Sequence, residues 1–126
     1  MPLDADELKQ LAEAGDRRSE PVCGSWPHRA AAWESFTEDR WPTDLMERLG
    51  TLRADGIDEP VFEEFHPHGT RYDSVDAPIS VAHFPFNRCD VYRCMACARL
   101  VLRYTEFGGY YVDHRARRVD AALVSV

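Results

Sequence analysis

At 126 residues, 44% hydrophobic and 29% charged, the chain has the size and composition of one globular domain, 1–126, rather than of a disordered tail. No apolar run approaches the ~20 residues that span a bilayer, and the acidic start MPLDADELKQLAEAG lacks the basic and then apolar pattern of a secretion signal, so a cytoplasmic location with reduced cysteines is expected. The net charge of −7 speaks against a nucleic-acid binder, which needs a basic footprint.

Along the chain, Asp4 followed by Glu7 predicts a capping box, opening a first helix with Leu3, Leu8 and Leu11 as its apolar stripe and Gly15 as its stop. DRRSEPVCGSWP at 16–27 reads as a linker. HRAAAWESF predicts a second helix, with Trp33 and Phe36 sharing a face, and Pro42 opens a third, TDLMERL, closed by Gly50. Residues 1–50 are thus expected to be mainly helical. From residue 60 the period changes, and 60–120 reads as β-rich. VFEEF and TRYDS flank the turn cluster HPHG as a hairpin, and PISVAHF alternates as a strand. RLVLRYT alternates too, with Leu100, Leu102 and Tyr104 on one face and Arg99, Val101 and Arg103 on the other. Gly108-Gly109 then turns the chain back into YYVDHRARRV. The expected fold is α+β: N-terminal helices packed on a C-terminal antiparallel sheet that carries a C-x2-C turn.

That turn, within CDVYRCMAC, holds three of the four cysteines. Cys94 and Cys97 have the spacing of one zinc-ribbon knuckle, and Cys89 is a candidate third ligand if DVYR loops back; drawn out as a strand, it would sit ~16 Å from Cys94. The fourth ligand would come from His66, His68, His83, His114 or Cys23. Buried thiols and a redox pair are the alternatives, so the cofactor is either none or one structural zinc. Tyr104, Glu106, Tyr110, Tyr111, Asp113 and His114 gather around one hairpin, where they read as an acid–base site or as cross-strand pairing. No nucleophile elbow or phosphate-cradling glycine loop is present, and the chain is not expected to be an enzyme.

The stretch HFPFNRCDVYRCMACARLVLRYTEFGGYYVDHRARRVD resembles a group of short, uncharacterised bacterial proteins that share PYNRCDV, a C-x2-C and R-x-x-LRYTE-x-GGYYVD-x-R-x-R. EEFHPHGTRYDSVDAPIS is similar to the same group, so the likeness covers roughly residues 59–120. It implies no catalytic residue. Where the group has Gly after the second cysteine this chain has Ala98, a substitution that weighs against a metal knuckle. In profile (small, acidic, without an evident nucleophile) the chain is also similar to bacterial immunity proteins, which implies neutralisation of a toxin by covering its active site.

Charge points the same way. Residues 1–65 hold 16 Asp and Glu against 7 Lys and Arg, while residues 66–126 hold 6 against 8. An acidic first half suits a basic protein partner, such as a toxin domain. Candidate contacts are Asp58, Glu59, Glu63 and Glu64, with Trp41 or Trp26 as anchors. The alternative is a zinc-ribbon-like regulatory module that contacts nucleic acid or protein through Arg93, Arg99 and Arg103. A small enzyme using Glu106 and His114 stands third.

Overall fold

Asp4 and Glu7 cap one another's backbone: Glu7 N donates to Asp4 Oδ1 at 2.8 Å, and Asp4 N to Glu7 Oε1 at 3.3 Å. This reciprocal pair satisfies two donors that a helix start leaves open. It begins α1 (Ala5–Arg18), whose buried residues Leu8 and Ala12 recur at helical spacing. Burying a leucine fully contributes about 1.5–3 kcal/mol. The protein is represented by a computed structural model that describes residues 2–18, 26–56, 61–72, 74–107, 110 and 112–125.

Two expectations for the first fifty residues are corrected. Gly15 does not stop α1, which runs on to Arg18. The glycine marks a close approach instead, because a Cβ there would lie 2.3 Å from the Ala98 carbonyl oxygen. Nor do HRAAAWESF and TDLMERL form helices. Pro27–Arg29, Glu38–Arg40 and Thr43–Leu45 are single 3-10 turns, and the chain between and after them is extended as β1 (Glu34–Phe36) and β2 (Met46–Thr51). The reason is tertiary. Trp33 packs into one core cluster and Phe36 into another, and a separation of three on extended chain sends them to opposite faces. Met46 and Leu49 divide in the same way.

Among the described residues the HPHG hairpin is also absent. Residues 61–66 have no strand assignment, and Pro67–Gly69 is another 3-10 turn. PISVAHF contributes only β3 (Ile79–Ser80). The later strands form where alternation places them: β4 (Asp90–Cys94), β5 (Leu100–Phe107) and β6 (Val112–Arg118), followed by the short β7 (Val124–Ser125). The five-stranded sheet has the order β1-β6-β5-β4-β2 with every neighbouring pair antiparallel, while β3 and β7 pair in parallel apart from it. The fold is α+β, as expected. The Gly108-Gly109 turn between β5 and β6 lies outside the described residues.

Period-two alternation gives the sheet two faces. Cys89, Val91, Leu100, Leu102 and Tyr104 lie under α1 with Leu8 and Ala12. Cys94, Val101 and Ala116 lie on the other side, covered by Phe36, Trp41 and Met46 and flanked by Trp26 and Tyr92. Among the buried groups, which include the polar Ser80 and Asn87, Arg117 carries a charge, at 1% exposure. Its Nη2 donates to the Ala77 carbonyl at 2.7 Å, and its guanidinium lies 5.7 Å from the Phe86 ring centre. Burial lowers its pKa from the ordinary arginine value. Among the described residues no helix is long and apolar enough to cross a membrane.

Candidate partner-binding face

The three cysteines of CDVYRCMAC are not brought together. Cys89 enters β4 on the α1 face, where its thiol donates to the Pro85 carbonyl at 3.4 Å and burial pushes its pKa well up. Cys94 and Cys97 are buried in the cluster on the opposite face. DVYR is drawn out as a strand, which is the case that parts Cys89 from Cys94 by ~16 Å. Among the described residues no group of three or more His, Cys, Asp or Glu is placed to hold a metal ion. The described candidates for a fourth ligand are also dispersed. His66 pairs with Glu64 at 2.8 Å, His83 bonds Ser80 Oγ at 2.6 Å, and His114 lies 3.0 Å from Thr105 Oγ1. Cys23 and the side chain of His68 lie outside the described residues.

The turn itself is closed by Ala98, whose φ of 67° is left-handed. Ala98 N donates to the Cys94 carbonyl at 2.7 Å, and Cys94 N to the Arg99 carbonyl at 2.9 Å. Alanine therefore holds, at some strain, the backbone conformation that glycine adopts freely.

The partner-contact candidates separate into three groups. Asp58 and Glu59 lie outside the described residues, whereas Glu63 and Glu64 are exposed. Trp41 is a correction. It is 7% exposed, stacks on Phe36 at 5.3 Å, and lies under the Arg103 guanidinium at 4.6 Å, so it anchors the core rather than a partner. Trp26 is half-buried beside it, and its Nε1 donates to the Arg40 carbonyl at 2.9 Å. Two arginines of the regulatory-module alternative are engaged within the fold as well: Arg93 pairs with Glu47, and Arg103 with Glu38 at 2.6 Å.

What sequence reasoning missed lies on the acidic segment itself. Phe62 is 62% exposed and Phe107, at the far end of β5, is 77% exposed. Residues 61–66 are tied down by two bonds, Phe84 N to the Glu63 carbonyl and Asn87 Nδ2 to the Val61 carbonyl, both 2.8 Å. That attachment sets Phe62 against Phe84 at 5.6 Å, with Arg88 lying 4.2 Å over the Phe62 ring. A cavity of about 220 Å3 opens between Phe62, Phe84, Phe107, Tyr104 and Glu106. The signal in the sequence was VFEEF, a run with two phenylalanines around two acids, read above as an ordinary strand.

Beneath this face lies a polar network. The Tyr72 and Tyr104 hydroxyls are 2.5 Å apart, and Arg115 Nη1 donates to both, at 2.8 and 3.2 Å. One phenol donates to the other, which leaves one phenolic proton for a further acceptor. Arg115 Nη1 is also 2.9 Å from Glu106 Oε2, close enough for an ion pair but not aligned for a hydrogen bond. Arg115 Nε donates to Asp113 Oδ2 at 2.8 Å, and the Ser35 hydroxyl donates to the same oxygen at 3.2 Å. Burial raises both phenol pKa values, that of Tyr104 strongly with help from its bond to Tyr72. These phenols stay neutral at ordinary pH and act as hydrogen-bond donors, not bases. The acid–base pair of the third reading, Glu106 with His114, is not assembled. Glu106 faces Asp113 across the β5–β6 ladder while His114 faces Thr105, which places the carboxylate and the imidazole on opposite sides of the sheet.

No family of known proteins, no curated protein and no solved structure matches this chain.

Proposed function

We propose that the chain is a cytosolic protein-binding inhibitor of the immunity type, which neutralises a basic toxin domain by covering it. The observation that carries this reading is the pair of exposed rings, Phe62 and Phe107, flanking one cavity, with the exposed Glu63 and Glu64 following Phe62 on its segment. Contiguous apolar surface with a charged rim is the usual anatomy of a protein-interaction site. The rings would seat in the partner as anchors, and Glu63 and Glu64 would accelerate encounter with a basic surface. The arginine-rich alternative has weaker support, because Arg93 and Arg103 are already paired inside the chain.

The test starts with co-purification of the tagged chain from its native cells and identification of whatever binds stoichiometrically. With that partner in hand, Phe62→Ala should weaken binding by about 2 kcal/mol, the scale of an interface hot spot, mainly through faster dissociation. Changing Glu63 and Glu64 together to Gln should slow association and flatten its salt dependence. Association that is already insensitive to salt, with Phe62→Ala binding normally, would eliminate this face.

A further inference from the structure

A second cavity, of about 250 Å3, lies at the opposite end of the sheet, lined by Asp16, Arg99, Leu100, Arg118, Val119 and Asp120. We propose that it binds a small zwitterion, a free α-amino acid, with the carboxylate between Arg99 and Arg118 and the ammonium toward Asp16 and Asp120. This does not depend on the partner-binding face.

Four charged side chains on four different stretches of chain converge here. Asp16 comes from the last turn of α1, Arg99 from the C-x2-C turn, Arg118 from the end of β6, and Asp120 from the segment after it. The backbone that carries them is fixed. Val119 N donates to the Leu100 carbonyl at 3.0 Å, and Arg118 N to the Ala30 carbonyl at 2.8 Å. Arg99 follows directly on left-handed Ala98, whose carbonyl touches Gly15, the neighbour of Asp16. A non-glycine residue in that conformation is costly and is found where surrounding structure enforces a geometry. Here the enforced geometry sets Arg99 beside Asp16.

The charge pattern selects the ligand. Among the described residues neither Arg99 nor Arg118 makes an ion pair within 4.0 Å. Two guanidiniums with donors to spare suit a carboxylate, which they can bind at both oxygens. A simple anion would be repelled by Asp16 and Asp120, and a simple cation by the arginines. A molecule with both charges a few bonds apart complements the signs of all four groups, with Asp120 Oδ2 left beside the Oδ1 that already accepts from Ala122 N. The carboxyl of Asp16 is raised above its ordinary pKa, first by burial and further by Asp120, against the pull of Arg99 and Arg118. A cation between the two acids relieves that repulsion. The end of α1 contributes too, since carbonyls at a helix C-terminus favour positive charge. The cavity is smaller than the ~300–1,000 Å3 of sites for drug-sized ligands, which fits a single amino acid.

The experiment is a nitrogen-15 NMR titration of the full chain with L-alanine, with sodium acetate and methylammonium chloride as the two half-molecules. Saturable shifts at the Arg99 and Arg118 side chains and at the 118–120 amides are expected with L-alanine. Acetate and methylammonium should each bind at least about tenfold more weakly. Arg118→Gln, at an exposed position, should weaken L-alanine about tenfold while leaving the remaining spectrum dispersed, and Arg99→Gln should do the same. Equal shifts with acetate would reduce the site to a simple anion patch and overturn the proposal. So would no saturation at tens of millimolar, or unchanged affinity in a folded Arg118→Gln protein.

Discussion

Across one sheet the chain builds two cores of different kinds. On one side a regular element, α1, lays Leu8 and Ala12 over the sheet, and Ile79, Phe86 and Trp33 from short segments complete that core. On the other, no long element among the described residues covers the sheet. Three short 3-10 turns and a three-residue strand bring in Trp26, Phe36 and Trp41, which pack on one another at 5.1, 5.3 and 6.5 Å over Cys94, Cys97 and Val101. Aromatic rings make this possible, because each buries about 150–250 Å2 and a few replace a whole helical stripe. Arg103 closes the stack, 5.0 Å over Phe36 and tied to Glu38. A helix covers a face by repetition, while loops cover it with large side chains held at individual positions.

Truncations give the largest test of that contrast. Trp41→Ala should cost about 3–5 kcal/mol and Leu8→Ala about 2–5 kcal/mol, read as shifts of the urea midpoint at constant slope. A Trp41→Ala protein with an unmoved midpoint would show that the loop-covered side is surface and not core.

The contact that joins α1 to the C-x2-C turn gives a smaller effect, with opposite signs at its two ends. Gly15→Ala should destabilise by about 1–3 kcal/mol even though alanine is the better helix former by about 1 kcal/mol, because its Cβ would collide with the Ala98 carbonyl. Ala98→Gly should stabilise by up to about 1 kcal/mol, since glycine takes positive φ without strain. Thermal melting of both variants decides the point, and a neutral Gly15→Ala would deny the close approach.

Smallest is the ion pair over the aromatic stack. The hydrogen bond from Arg103 holds the Glu38 carboxyl below its ordinary pKa. A carboxyl with a lowered folded-state pKa adds stability above its unfolded value and loses it as the pH falls through the folded one. Wild type should therefore exceed Glu38→Gln by about 0.2–1 kcal/mol at neutral pH, the range for exposed pairs, with the gap closing in acid. A gap that persists in strong acid would assign the effect to packing instead.

The legible parts of this fold were those whose covering repeats. The capping box and leucine spacing marked α1, and strict alternation in RLVLRYT assigned Leu100, Leu102 and Tyr104 to one face and Val101 and Arg103 to the other. The loop-covered side was misread for the same reason. Trp33 and Phe36, three apart among good helix formers, match a helical face, but on extended chain that spacing serves two different cores at once. No local pattern announces which of those two partners will arrive. The candidate face shows the same limit. The acids of 61–66 were visible from charge alone, but the exposure of Phe62 depends on where Phe84 and Asn87 meet that segment.

The borders of the sheet bear on how copies of this chain behave when concentrated. One border is β1, three residues long. The other is β2, broken by a bulge between Arg48 and Gly50 and met at its end by Leu3, whose N–H donates to the Thr51 carbonyl at 2.8 Å. Short, kinked and partly occupied borders are poor templates for strands of another molecule, and β2 adds the charges of Glu47 and Arg48. Phe62 and Phe107 can thus stay bare to water while the backbone withholds the continuous edge along which such chains stack into fibrils.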